Sequence, residues 1–144
     1  MNVYVKAEND QCMLEHGSNL AAGWDLKYNG TDEIVIPPCT RSLVPTGVRI
    51  AMDRFTFGKI EGRSGHALKN GIMILAGVID SDYRGEIKVI MYNSDMNEPF
   101  VIKPFDRIAQ LVFLKTDPTS IKLINVDELG ETARGAMGFG STGN

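Results

Sequence analysis

With 144 residues and a mass of 15.8 kDa, the chain has room for one domain, and 43% hydrophobic against 23% charged residues is the balance of an ordinary globular protein with its own core. A net charge of −3 and a pI near 5.3 argue against stable nucleic-acid binding, and two cysteines with two histidines exclude most multi-ligand zinc architectures. Glycine accounts for 15 residues, and Gly135, Gly138, Gly140 and Gly143 crowd the last ten positions.

Residues 1–11 lack an apolar segment behind a basic start, so no signal peptide is expected and the location expected is intracellular, cytoplasmic or nuclear. The longest uncharged stretch, residues 70–79, is about half a membrane span. Cys12 and Cys39 are expected to stay reduced, and Cys12 with His16 lacks the second ligand pair a metal site needs. Strand patterns dominate from there. Residues 33–36 form a β-rich run stopped by Pro37 and Pro38, and 42–44 lead into a turn expected at 45–47. Residues 48–52 and 54–61 follow as strands. Residues 64–70 are the one helix candidate, with Ser64 as N-cap, Lys69 near its end and Gly71 closing it. The apolar run 72–79 predicts a strand buried on both faces. After a turn at 80–85, residues 86–92 and 108–114 supply the last strands, and the spacing of turns suits an all-β barrel or sandwich.

Five stretches carry chemistry, and each has a plain structural reading beside the functional one. In Ala22-Gly23-Trp24-Asp25-Leu26 an acid at a strand start also serves as a turn or capping residue. Arg63, Ser64 and Gly65 suit a phosphate, or simply a helix cap beside a surface arginine. Residues 77–85 run from an apolar strand into an acidic loop, where Asp80 would be held stiffly enough for a general base and Tyr83 adds a flat ring; a hairpin turn with solvated acids fits equally. Asp106 and Arg107 can pair to fix the start of a strand, and Gln110 interrupts an apolar run. The tail joins Arg134 to glycines, Phe139, Ser141 and Thr142, a phosphate cradle without the lysine of a Walker loop, or a frayed end.

In their order and wording these five segments together resemble the trimeric dUTPase family, from about residue 20 to the end. The resemblance implies an all-β, jelly-roll-like distorted β-barrel with one short helix, assembled as a homotrimer with shared active sites. Residues 1–130 would form the barrel and 131–144 a Gly-rich lid donated to a neighbouring subunit. It implies Mg2+-dependent hydrolysis of dUTP to dUMP and pyrophosphate. Asp80 would activate water and Tyr83 would pack under the deoxyribose. Main-chain groups from Ile74 through Gly77, Val78 and Ile79, and near Lys88, would read uracil. Arg63, Ser64, Gly65 and Gln110 would contact phosphates, and Asp25 would reach Mg2+ through water. In the tail, Arg134 would meet the γ-phosphate, Phe139 would stack on uracil, and Gly140, Ser141 and Thr142 would contact phosphates.

Three departures from the family pattern stand out. His66 replaces a usual Leu and is expected to be packed and uncharged. Phe105 replaces a common Gly, so the chain there should avoid positive φ or the loop should shift. Met137 replaces a Gly in the tail.

Overall fold

The structure, a computed structural model, describes residues 1–117, 121–134, 136 and 137. Antiparallel strands make up almost all of its regular secondary structure: β1 (Val3–Ala7), β2 (Glu15–His16), β3 (Gly23–Lys27), β4 (Ile34–Ile36), β5 (Arg41–Met52), β6 (Thr56–Glu61), β7 (Ile72–Leu75), β8 (Val78–Ile79), β9 (Ile87–Asn93), β10 (Phe100–Ile102) and β11 (Arg107–Lys115). Among the described residues a single α-helix, α1 (Ser64–Asn70), lies between β6 and β7, and a 3-10 turn spans Asp10–Cys12. The strands form sheets ordered β1-β5-β9-β7, β2-β3-β11-β6-β8 and β10-β4, the jelly-roll-like all-β architecture expected.

Alternation explains which faces meet. On β9, Ile87, Val89 and Met91 point inward, while Lys88 and Tyr92 point away. Opposite them Val44 and Val48 of β5, Leu26 of β3 and Ile108 and Leu111 of β11 complete a core of fully buried aliphatic side chains. Each such side chain contributes about 1.5–3 kcal/mol by leaving water. One buried polar residue ties three segments together. Asn93 Nδ2 donates to the Ile36 carbonyl at 3.1 Å and to the Glu98 carbonyl at 2.8 Å, while its Oδ1 accepts from the Asp95 amide at 3.0 Å. Cys12 is buried and Cys39 exposed, with no bond between them.

Four local expectations are corrected. Residues 45–47 are not a turn. β5 runs straight through them as a bulge, with Gly47 at φ +68°, because Thr46 Oγ1 donates to the Ile87 carbonyl at 2.6 Å and Glu86 Oε1 accepts from the Gly47 amide at 2.9 Å. The run 72–79 is not one strand buried on both faces. Ala76 (φ +58°) and Gly77 (φ +113°) break it into β7 and β8, and Met73 and Val78 are exposed. Ser64 does not cap α1: Arg63 occupies the cap position without a side-chain cap bond, although Gly71 closes the helix in the left-handed region as expected. Phe105 does not avoid positive φ; it sits at +64°. Its amide donates to the Tyr28 carbonyl at 2.8 Å and its ring packs on the core, which hold a conformation that costs a non-glycine residue about 1–3 kcal/mol.

Candidate active site

β3, the loop before α1 and the start of β11 converge on one hollow of about 510 Å³. Asp25 reaches it from β3, on the face opposite the core residue Leu26, and is buried there. Arg63 Nη1 donates to Asp25 Oδ1, and Arg107 Nη1 donates to Oδ2 at 3.3 Å. Arg107 therefore pairs with Asp25; Asp106 is turned elsewhere and accepts from the Lys103 amide at 2.8 Å. Gln110 donates from Nε2 to the Gly62 carbonyl at 2.9 Å, and its side chain lies over Gly23, where a Cβ would collide with it. That close approach is the reason a glycine stands at 23.

Ser64, Gly65 and Lys69 line the same hollow, so Arg63, Lys69 and Arg107 set three cations against the single carboxylate of Asp25. The excess of positive charge, with planar guanidinium donors, suits a polyanion carrying several oxygens. His66 also lines it and is half-buried: its Nε2 lies 3.0 Å from the Arg107 carbonyl and its ring stands edge-on to Phe100 at 5.2 Å between centroids. Because a carbonyl only accepts, Nε2 carries the proton.

A second hollow, about 320 Å³, opens where β8 leaves the five-stranded sheet. Leu43, Val78, Ile79 and Ile90 give it apolar walls, and Asp80, Tyr83, Glu86 and Lys88 stand around them. Asp80 is exposed rather than enclosed, and its carboxylate has no hydrogen bond or ion pair among the described residues; its carbonyl closes a turn by accepting from the Tyr83 amide at 3.1 Å. Tyr83 Oη donates to the Glu86 carbonyl at 3.0 Å, and the ring lies where a Cβ at Gly85 would be. Lys88 Nζ stands 3.8 Å from Glu86. Ile74 is half-buried on β7, and Gly77 accepts from the Ile60 amide at 2.8 Å, fixing the bend that presents β8.

The predicted residues thus fall into two groups that share no lining residue: Asp25, Arg63, Ser64, Gly65 and Gln110 around one hollow, and Val78, Ile79, Asp80, Tyr83 and Lys88 around the other. Arg134 lines neither. It folds on itself, with Nε donating to the Met137 carbonyl at 2.9 Å. Phe139, Gly140, Ser141 and Thr142 lie outside the described residues. Sequence reasoning missed Lys69 and Arg107 as cations of the first hollow and Glu86 as the partner of Tyr83. The signal available for Arg107 was its place at a strand start, which pointed to a neighbour in sequence and not to the strand beside it. Among the described residues there is no group of three or more His, Cys, Asp or Glu able to hold a metal ion, and no helix is long and apolar enough to cross a membrane.

A sequence model described as dUTPase matches residues 9–143. The deoxyuridine 5'-triphosphate nucleotidohydrolase of Debaryomyces hansenii is 45% identical over 143 residues, covering 99% of this chain and 87% of that protein. The protein of the same name from Cytophaga hutchinsonii is 47% identical over 144 residues, covering 99% and 92%. Among solved structures, a mutant of the Staphylococcus bacteriophage 80alpha dUTPase with dUpNHpp superposes with a TM-score of 0.84 at 24% identity over 99% of both chains. The native EIAV dUTPase superposes at 0.73 with 26% identity, covering 89% of this chain and all of the other. A match along nearly the whole chain, joined to a cationic hollow and a separate apolar one, makes this chain a member of the dUTPase family.

Proposed function

We propose that the chain hydrolyses dUTP to dUMP and pyrophosphate with Mg2+, by attack of water on the α-phosphorus, and so keeps uracil out of DNA while supplying dUMP for thymidylate synthesis. The observation that carries this reading is the division of labour between the hollows. One offers three cations around Asp25, suited to a triphosphate; the other offers apolar walls, an aromatic ring and an unengaged carboxylate, suited to a nucleoside and the water beside it.

In this reading Asp80 orients the water and takes its proton as the new O–P bond forms and the bond to the bridging oxygen breaks; the proton then passes to solvent. General-base help of this kind contributes about 10²–10⁴-fold. Arg63, the Ser64 and Gly65 turn, and Gln110 hold the phosphate oxygens, placing the α-phosphorus in line and neutralising the departing pyrophosphate. Tyr83 packs under the deoxyribose and leaves no space for a 2'-hydroxyl. Main-chain groups from Ile74 to Ile79 and near Lys88 read uracil in a slot too tight for a thymine methyl. From the tail, Arg134 meets the γ-phosphate, Phe139 stacks on the base, and Gly140, Ser141 and Thr142 add phosphate contacts.

The donor set fits Mg2+ in a particular way. A hard ion that keeps its waters and borrows substrate oxygens needs few protein ligands, and in this reading Asp25, which lines the hollow, would reach it through water. Bound there, Mg2+ supplies neutralisation of phosphate charge.

A single active site needs both hollows, so we assign them to different subunits of a homotrimer, with residues 1–130 as the barrel and 131–144 as a lid given to a neighbour. Two features support this assembly. The outer face of the four-stranded sheet carries Leu43 and Leu75 on either side of Ile90, next to the nucleoside hollow. Beyond β11, Ile121, Leu123, Ile124, Val126 and Leu129 are all exposed, which a chain tolerates when another chain covers them. Pyrophosphate release from dUTP, dTTP, dCTP and UTP, with and without Mg2+, tests the reading. Turnover confined to dUTP with Mg2+, and lost in Asp80→Asn, is expected; equal turnover of dTTP, or none of dUTP, refutes it.

A further inference from the structure

Asp25 spends its two oxygens in an unusual way. A carboxylate meeting one arginine commonly takes both prongs of the same guanidinium; here each oxygen goes to a different arginine, Oδ1 to Arg63 and Oδ2 to Arg107. The three residues come from β3, the loop before α1 and the first position of β11, so the carboxylate joins segments far apart in sequence. Each arginine gives Asp25 one N–H of its five, and among the described residues the others meet no side chain, which leaves them for an anion in the hollow. Arg107 is held from behind as well. Its carbonyl meets His66 Nε2 on α1, next to the register shift between Arg107 and Ala109 where β11 leaves regular pairing with β3. Contacts thus run in a closed ring: α1 through His66 to Arg107, Arg107 to Asp25, Asp25 to Arg63, and Arg63 back to the start of α1.

We propose that Arg107 is a positioning residue of the polyphosphate hollow: by holding Oδ2 it locks the Asp25 carboxylate in the one orientation that aims Arg63 at the phosphates, and His66 fixes Arg107 in turn. Without Arg107 the carboxylate rotates freely about its last bond and Arg63 can take both oxygens, which turns its donors away from the hollow. Arg107 is the most exposed of the three side chains and touches Asp25 through one nitrogen only, so a lysine ammonium can replace that contact and a neutral side chain cannot. This inference rests on the dUTP reading above.

The test compares Arg107→Gln, Arg107→Lys, His66→Leu and His66→Gln in the full-length chain. Arg107→Gln should raise the KM for dUTP about tenfold, the scale of a hydrogen bond to a charged group, with kcat within about twofold. Affinity for dUMP, which lacks the β- and γ-phosphates, should stay unchanged, and Arg107→Lys should recover most of the loss. In an Asp25→Asn background the Arg107→Gln change should have little further effect, since the group it acts through is gone. His66→Leu, which removes the N–H that meets the Arg107 carbonyl, should raise the KM for dUTP about threefold, and His66→Gln, which keeps an N–H donor, should not. Effects of Arg107→Gln and Asp25→Asn that multiply independently would overturn the proposal. So would equal losses for dUMP and dUTP, or a wild-type KM in Arg107→Gln. Should Arg107→Gln not fold, the two His66 variants decide: identical KM values in both overturn it. Wild-type turnover of dUTP separates the two claims, because its absence removes the proposed reaction, while normal turnover with insensitive variants removes only the role of Arg107.

Discussion

Gly77→Ala should damage both stability and the nucleoside hollow, and the structure says by how much. Gly77 sits at φ +113°, well outside the conformations open to alanine, between the end of β7 and the start of β8. A Cβ there would lie 2.9 Å from the Ile60 carbonyl oxygen and 3.2 Å from the Ile60 Cβ. The obstacle is mostly backbone, and β6 cannot retreat because Ile60 is paired on its other side with Leu111 of β11. The backbone conformation alone costs about 1–3 kcal/mol, and shifting residue 77 also weakens the Ile60 amide bond to its carbonyl by about 1 kcal/mol. A loss near 3 kcal/mol lowers the melting temperature of a domain this size by roughly 10 °C. The displaced β8 carries Ile79 and Asp80 with it, so the KM for dUTP should rise about tenfold or more. Gly65→Ala is the matched control for stability, since no heavy atom lies within 4 Å of its Cβ position. It should melt within about 2 °C of wild type or higher, alanine being the better helix former. Thermal melts followed by circular dichroism, with steady-state kinetics on the folded fraction, give both readings. A Gly77→Ala protein melting within about 2 °C of wild type would refute the reasoning.

Gly85→Ala places a methyl group where the Tyr83 ring lies, and that ring can swing aside by giving up its bond to the Glu86 carbonyl. Stability should therefore change by less than about 1 kcal/mol while the preference for dUTP over UTP narrows, read as a ratio of kcat/KM values; an unaltered ratio would detach Tyr83 from sugar selection. Truncation after Glu131 should abolish turnover and leave the trimer intact by sedimentation, and a fully active truncated protein would end the lid assignment. Amides of Asn97 and Glu98 donate to Asp95 Oδ1 and hold its carboxyl below the usual carboxylate range. Its support of that turn is therefore complete above the ordinary range and fades as pH falls through the depressed folded value. Asp95→Asn should flatten the dependence of melting temperature on pH in that acid window, and parallel acid limbs for the two proteins would count against this.

Much of the fold is written locally. The alternation in residues 86–92 needs only a nonpolar side to turn inward, the apolar run 108–114 reads as a strand, and the short helix follows from good helix formers closed by Gly71. Phosphate-type residues were legible too, since Arg63, Ser64 and Gly65 are contiguous. In three places where sequence reading failed, a distant group had overruled a local preference. Residues 45–47 carry every mark of a turn, yet Thr46 and Gly47 find their partners at Ile87 and Glu86, and those bonds keep β5 continuous. Phe105 reads as a residue that should avoid the left-handed region, yet the Tyr28 carbonyl and the core hold it there. Arg107 reads as the partner of its neighbour Asp106, whereas the carboxylate it reaches lies 82 positions away on the adjacent strand.

By itself, then, the sequence determined that this chain is β-rich and which motifs are the candidates for its chemistry, because hydrophobic period, turn chemistry and contiguous motifs depend only on neighbours along the chain. Tertiary structure alone decided how those residues are shared out. Antiparallel pairing of β3 with β11, and of β6 with β8, sends Asp25 and the arginines to one hollow and Asp80 and Tyr83 to another. That separation is set by strand order, a property of through-space pairing that no local pattern encodes.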